Sequence, residues 1–294
     1  MHQKPHRVIV IGSNGLLGTP TAARFAADAD IDVLALDLPD IDITDADQVS
    51  ARMDDFKPEL VINCAAYTAV DACEENEETA CRVNGIGAGI VARAAAARSA
   101  RMIHISTDYV FEGDATVPYP EDHPTAPPEE LSAYGRSKLL GEQEVRRLHA
   151  GALIVRTAWL YGPDGPGFPQ AILRRAREVD ELRVVDDQTG SPTYAPDLAA
   201  AMYKLAHLDI DGIVHVTNSG QCTWYDFACE ILRLAAIDIP VTPVTTSKFP
   251  RPAKRPAYSV LDNRRYVAAV GGPLRSWREA VAEYVEGHTP AAST

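Results

Sequence analysis

The chain has 294 residues, 46% of them hydrophobic and 23% charged, enough for one large core or two coupled domains of ordinary globular composition. Its formal net charge of -13 creates a field that repels phosphate polymers and anionic lipid, so neither nucleic acid nor a membrane is expected as a partner. No apolar run approaches the roughly 20 residues that span a bilayer, MHQKPHRVIVIG lacks a signal-peptide cleavage pattern, and five cysteines without a CxxC pair suit reduced thiols, so the expected location is the cytoplasm.

In chain order, RVIVIG reads as a strand, residues 15–27 as a helix, IDVLALD as a strand, residues 45–56 as a helix and ELVINCAA as a strand. A helix within 77–99, the strand RMIHIST, a loop, a helix carrying Tyr134 and the strand ALIVRTAWLYG follow. This alternation predicts an α/β fold: a doubly wound, Rossmann-like parallel sheet covered on both faces. After Gly162 the pattern loosens into helices near 170–178, 196–206, 224–234 and 276–285, strands at LRVVDD and IVHVTN, and an extended proline-punctuated stretch over 240–256. The expected organisation is a dinucleotide-binding domain of residues 1–162 plus about 197–216, a smaller C-terminal substrate lobe of about 163–196 and 217–288, and a frayed tail at 289–294.

GSNGLLG follows the first strand and opens the first helix. Glycines at that place allow a tight turn and close backbone approach to a pyrophosphate at the helix N-terminus. Gly12, Gly15, Leu16, Leu17 and Gly18 form the expected cofactor-contact turn. Asp37 ends the second strand, 22 residues after Gly15, where a carboxylate accepts from an adenosine ribose and disfavours a 2′-phosphate. Asp42 and Ile43 are placed beside the adenine. Ala65 and Ala66 let a cofactor pass close to the third strand's end, and Tyr67 and Thr68 begin the loop beyond it. The acidic run Glu74, Glu75, Glu77 and Glu78 reads as a helix N-terminus or a solvated face, and no metal site is expected.

The fourth strand ends in Ser106, Thr107 and Asp108 at the same sheet edge, where a hydroxyl can hold a substrate carbonyl oxygen. In SAYGRSKLLGE, Tyr134 and Lys138 are four apart on one helix face; the phenol can protonate that oxygen, and a nearby ammonium is expected to lower the phenol pKa. Lys248, Arg251, Lys254 and Arg255 gather in one proline-stiffened loop of an otherwise acidic chain, which reads either as a diphosphate-binding loop centred on Arg255 or as a solvated basic loop. Trp159, just after an apolar strand, is either a sugar contact or a core residue.

The segments GSNGLLG, NCAAYTAVDACE, STDYVF, AYGRSKLLGE, RTAWLYG, DDQTGSPTY and RPAYSVL, in this order, resemble the dTDP-4-dehydrorhamnose reductase family of extended short-chain dehydrogenases/reductases. The resemblance implies reduction of a 4-keto dTDP-sugar with NADPH or NADH, catalysis by Thr107, Tyr134 and Lys138, and cofactor contacts along Gly15–Leu17, Asp37, Asp42, Ile43 and Ala66–Thr68. It also implies sugar contacts at Thr107, Asp108 and Trp159. Where related 4,6-dehydratases carry an Asp-Glu pair after the threonine, this chain has Asp108 and Tyr109, which favours reduction over dehydration. The resemblance leaves open another nucleotide-sugar 4-ketoreductase, an epimerase, and a non-catalytic subunit like the methionine adenosyltransferase beta subunit. A homodimer fits the family, but Pro20 and Pro196 stand where its metal-linking glutamates would be, so a metal-linked dimer is not expected.

Overall fold

In the first strand Val8 and Val10 are buried on one face and Ile9 and Ile11 on the other, the pattern of a strand covered on both sides. The computed structural model describes residues 4–288; the tail expected at 289–294 lies outside them. The first half of the chain runs β1 (Arg7–Ile11), α1 (Gly18–Ala26), β2 (Asp32–Leu36), α2 (Ala46–Phe56), β3 (Leu60–Asn63), α3 (Val70–Glu75), α4 (Glu77–Ala80), a π-helical stretch (Cys81–Gly87) and α5 (Ala88–Ala97). β4 (Arg101–Thr107) passes through a 3-10 turn (Asp108–Val110) and a long loop to α6 (Ala133–Leu148), followed by β5 (Leu153–Thr157) and β6 (Leu160–Tyr161). Next come α7 (Phe168–Arg175), β7 (Leu182–Val185), β8 (Thr189–Gly190), β9 (Thr193–Tyr194), α8 (Ala195–Ala206) and β10 (Gly212–His215). The chain closes with β11 (Cys222–Thr223), α9 (Trp224–Leu234), β12 (Val241–Val244), α10 (Arg264–Val270) and α11 (Trp277–His288).

Six parallel strands stack in the order β2-β1-β3-β4-β5-β10, which is the doubly wound sheet expected. Alternate residues feed two cores. Val8, Val10, Leu60, Ile62 and Val155 pack with Phe25 of α1, Leu198 and Met202 of α8 and Tyr266 of α10. Ile9, Ile11, Val61, Met102 and Ile154 pack with Val49 and Met53 of α2 and Val91 of α5 on the other face. A separate core joins Ile172, Leu182, Phe227, Ile231, Trp277 and Val281 from α7, β7, α9 and α11.

Three local features depart from the sequence reading. The strand expected through residue 162 breaks at Trp159, whose φ of +46° ends β5 and turns β6 onto β9. Residues 241–244 of the expected extended stretch pair with β7 as a parallel strand. Helix α10 packs against β10 and α8, so residues 264–270 sit with the large sheet and not with the smaller core.

The order reverses between β1 and β3, and in such sheets the crevice at the carboxyl ends of the diverging strands is the ligand site. At the opposite, amino edge a depression of about 720 Å³ is lined by Arg7, Asp54, Lys57 and Arg98; no residue singled out in the sequence lines it.

Candidate active site

The glycine turn closes tightly over the switch point. Gly12 has φ +78°, and a Cβ there would lie 2.6 Å from the Ala65 nitrogen at the end of β3. A Cβ on Gly18 would lie 1.9 Å from the Gly12 carbonyl oxygen, so α1 can begin this close to the strand only without a side chain. Asp37 accepts the Asn14 N–H at 2.8 Å, which puts its carboxylate against the turn. Leu16 lies beside Gly162 and Gly165. Other expected cofactor residues point elsewhere: Leu17 is in the core, Ile43 is 5% exposed and packs with Val49 and Met53, and Asp42 accepts from the Thr44 N–H and hydroxyl as a turn cap. Leu17 and Ile43 offer a ligand little beyond their backbone, whereas Asp42 engages only Oδ1 in its own turn.

Thr107 ends β4, with its hydroxyl donating to Asp108 Oδ1 at 2.9 Å and accepting the Tyr109 N–H at 3.3 Å. Tyr134 lies in the first turn of α6, which Ser132 caps by accepting the Gly135 N–H. Its ring stands edge-on to Tyr109 with centroids 5.4 Å apart. Burial raises the Tyr134 pKa, Asp108 adds to the rise, and a hydrogen bond with Thr107 partly opposes it. This corrects the expected lowering by Lys138: desolvation of a phenolate outweighs any cation here, and the raised value keeps the proton that a general acid must give. Lys138 is 3% exposed and donates to the Ile105 carbonyl at 2.6 Å. Burial lowers its pKa to about 8, with Glu142 opposing the shift.

Several supporting residues were not singled out from sequence. Asn84, in the π-helical stretch, accepts the Tyr67 N–H at 2.7 Å and donates to the Tyr67 carbonyl at 3.0 Å and to Ser137 Oγ at 2.9 Å. Ser137 in turn donates to the Tyr134 carbonyl at 2.8 Å, so one amide ties the loop after β3 to the helix of Tyr134 and Lys138. A π-bulge is a common mark of a functional site, but its residues follow no periodicity that sequence reveals. The acidic run also serves α6: Glu74 accepts the Ala133 N–H at 2.9 Å and Glu77 pairs with Arg136 at 2.6 Å, while Glu75 and Glu78 are exposed. Beneath the site, Glu142 accepts from Ser106 Oγ at 2.6 Å and from Arg156 at 2.7 and 2.8 Å. Glu142 follows Lys138 by four residues, which was the available signal.

A cavity of about 650 Å³ opens beside Tyr109, lined by Trp159, Phe168, Gln188, Trp224 and Arg255. Trp159 stacks on Trp224 with centroids 3.5 Å apart, so one face of its ring is already covered. Arg255 lines the cavity but is not a free cation: it pairs with Asp71 at 2.9 Å, and Arg251 lies 3.6 Å from the same carboxylate. Asp71, at the start of α3, thereby draws the basic loop toward the large sheet.

A family model described as the RmlD substrate binding domain matches residues 6–289. The chain belongs to the dTDP-4-dehydrorhamnose reductase family. It is 42% identical to the dTDP-4-dehydrorhamnose reductase of Streptomyces griseus, over 94% of this chain and 92% of that one. It is 43% identical to a probable dTDP-4,6-dihydroxy-2-methyloxan-3-one 4-ketoreductase of Streptomyces antibioticus, over 94% of each. The dTDP-4-dehydrorhamnose reductase of Bacillus anthracis, solved in complex with NADP, superimposes with a TM-score of 0.91 at 39% identity, covering 96% of this chain and 99% of that chain. Among the described residues no helix is long and apolar enough to cross a membrane.

Proposed function

We propose that this chain is a cytoplasmic enzyme that reduces dTDP-4-dehydro-β-L-rhamnose to dTDP-β-L-rhamnose with NADPH or NADH. The observation that carries the reading is the convergence of Thr107, Tyr134 and Lys138 at the carboxyl edge of the sheet, beside a glycine turn that a single added Cβ would fill. That turn fits a dinucleotide: Gly12 to Gly18 bring backbone up to the pyrophosphate, Asp37 stands where the adenosine ribose lies, and Ala65 to Thr68 flank the passage toward Tyr134. Bound NADPH or NADH supplies the hydride for C4.

The protein's own groups do the rest. Tyr134 holds the proton that O4 needs once C4 is reduced, and its raised pKa keeps that proton in place until then. Lys138, still cationic below about pH 8, favours the phenolate left behind. Thr107 orients the ketone, and Arg255 and Trp159 hold the nucleotide-sugar in the adjoining cavity. A second reading keeps the chemistry and changes the sugar, since the Streptomyces antibioticus relative is named for a different 4-keto substrate. Tyr134→Phe retains the ring and removes the donor, so kcat should fall by about 100-fold or more with cofactor binding nearly unchanged. Turnover close to that of the unmodified protein would remove Tyr134 from the acid role.

A further inference from the structure

Thr107 has one hydroxyl proton, and in this structure that proton goes to Asp108 Oδ1. One lone pair of its oxygen accepts the Tyr109 N–H. What is left is a second lone pair, which can only accept. With Asp108 ionised, the carboxylate holds the Thr107 proton at 2.9 Å, and a ketone oxygen must compete with it for that proton. Reversing one hydrogen bond removes the conflict. A protonated Asp108 donates to Thr107 Oγ1, and the Thr107 proton is then free for the ketone.

We propose that Asp108 is a positioning residue that works as its carboxylic acid, setting the direction of the Thr107 hydroxyl so that its proton faces the substrate ketone. Asp108 keeps its own proton throughout; the proton that O4 gains is the one from Tyr134. Its surroundings suit the neutral form. Asp108 is 2% exposed, and its Oδ2 has no hydrogen-bond partner. The groups facing it are Tyr109 on its own turn, Tyr134 from α6 and Ser259 from the segment before α10, none of them cationic. The cations of the site are engaged elsewhere, Lys138 on the Ile105 carbonyl and Arg255 on Asp71. Burial raises the Asp108 carboxyl to about 6 in the protein alone, with the Ser259 and Thr107 hydroxyls and the Asp108 and Tyr109 N–H groups partly opposing the rise. A bound diphosphate adds negative charge and pushes it further up.

The inference rests on the reductase reading, and the test separates the two. Single-turnover hydride transfer to the keto sugar nucleotide, with both ligands saturating, is measured against pH for the unmodified protein, Asp108→Asn and Asp108→Ala. The asparagine amide can donate to Thr107 at every pH. For the unmodified protein the rate should fall as pH rises through the Asp108 pKa, by about tenfold per unit beyond it. Asp108→Asn should lose that limb while keeping the one belonging to Lys138, and Asp108→Ala should be at least about tenfold slower than Asp108→Asn. If Asp108→Asn keeps the lower limb, or is as slow as Asp108→Ala, the proposal is wrong. No hydride transfer by the unmodified protein would instead sink the reductase reading. A second measurement needs no variant: carbon-13 NMR of aspartate-labelled protein with dTDP bound should show one carboxyl titrating at or above about 6. Titration of every aspartate in the ordinary carboxylate range would overturn the proposal.

Discussion

Replacing Glu142 with glutamine removes one charge from beneath the site and should be felt in two independent ways. Glu142 is 2% exposed and accepts three hydrogen bonds, from Ser106 and twice from Arg156. Arg156 is equally buried, and its Nη1 already lacks a partner. Without the carboxylate its guanidinium is left as an uncompensated buried charge, which costs about 3–5 kcal/mol. For a chain of this size the melting temperature should fall on the order of 10 °C. The second effect concerns Lys138, whose pKa burial lowers to about 8 while Glu142 holds it up. Removing the opposing charge lets that pKa fall further. The cationic form of Lys138 then persists only to a lower pH, so the upper of the two falling limbs of kcat, the one belonging to Lys138, should move toward neutrality. Circular dichroism melts and kcat between about pH 6 and 9 read the two effects separately. Glu142→Leu combined with Arg156→Met should be less destabilised than the sum of the single changes. An unchanged melt together with an unmoved alkaline limb would refute the reasoning.

Two further substitutions test the ligand assignments. Asp37→Ala should weaken NADH more than NADPH, because the lost carboxylate accepts from a free ribose hydroxyl and repels a phosphate; equal losses in fluorescence titrations would make Asp37 only a support for the Asn14 turn. Arg255→Ala should raise KM for the sugar nucleotide roughly tenfold, the low end for a charge-assisted bond because Asp71 already holds the guanidinium, whereas Asp71→Asn should lower it. A KM that moves in the same direction in both variants would contradict the idea that Asp71 competes with the diphosphate.

Sequence revealed what is local or periodic. β4 was expected over the seven residues it occupies and α9 over its full length, since an apolar run and an amphipathic repeat declare themselves within one element. The glycine turn and the Thr107, Tyr134 and Lys138 positions were legible because each stands at a fixed offset from such an element. Helix α3 was missed: six residues, three of them acidic, carry no period. Strand β12 was missed because its partner β7 lies some sixty residues earlier and only that pairing makes it a strand. The Asp71 to Arg255 pair spans 184 residues, and no local pattern announces it. The phenol pKa was misjudged for a related reason, since Tyr134 and Lys138 are visible in the sequence while the burial that dominates is not.

The central claim is tested most directly by mixing the purified protein with NADPH and dTDP-4-dehydro-β-L-rhamnose, following the nicotinamide absorbance and identifying the sugar product by NMR. The account predicts loss of absorbance matched mole for mole by dTDP-β-L-rhamnose, abolished to the stated extent in Tyr134→Phe. Stable absorbance with both ligands bound, or an isomerised sugar formed with no cofactor consumed, would contradict it.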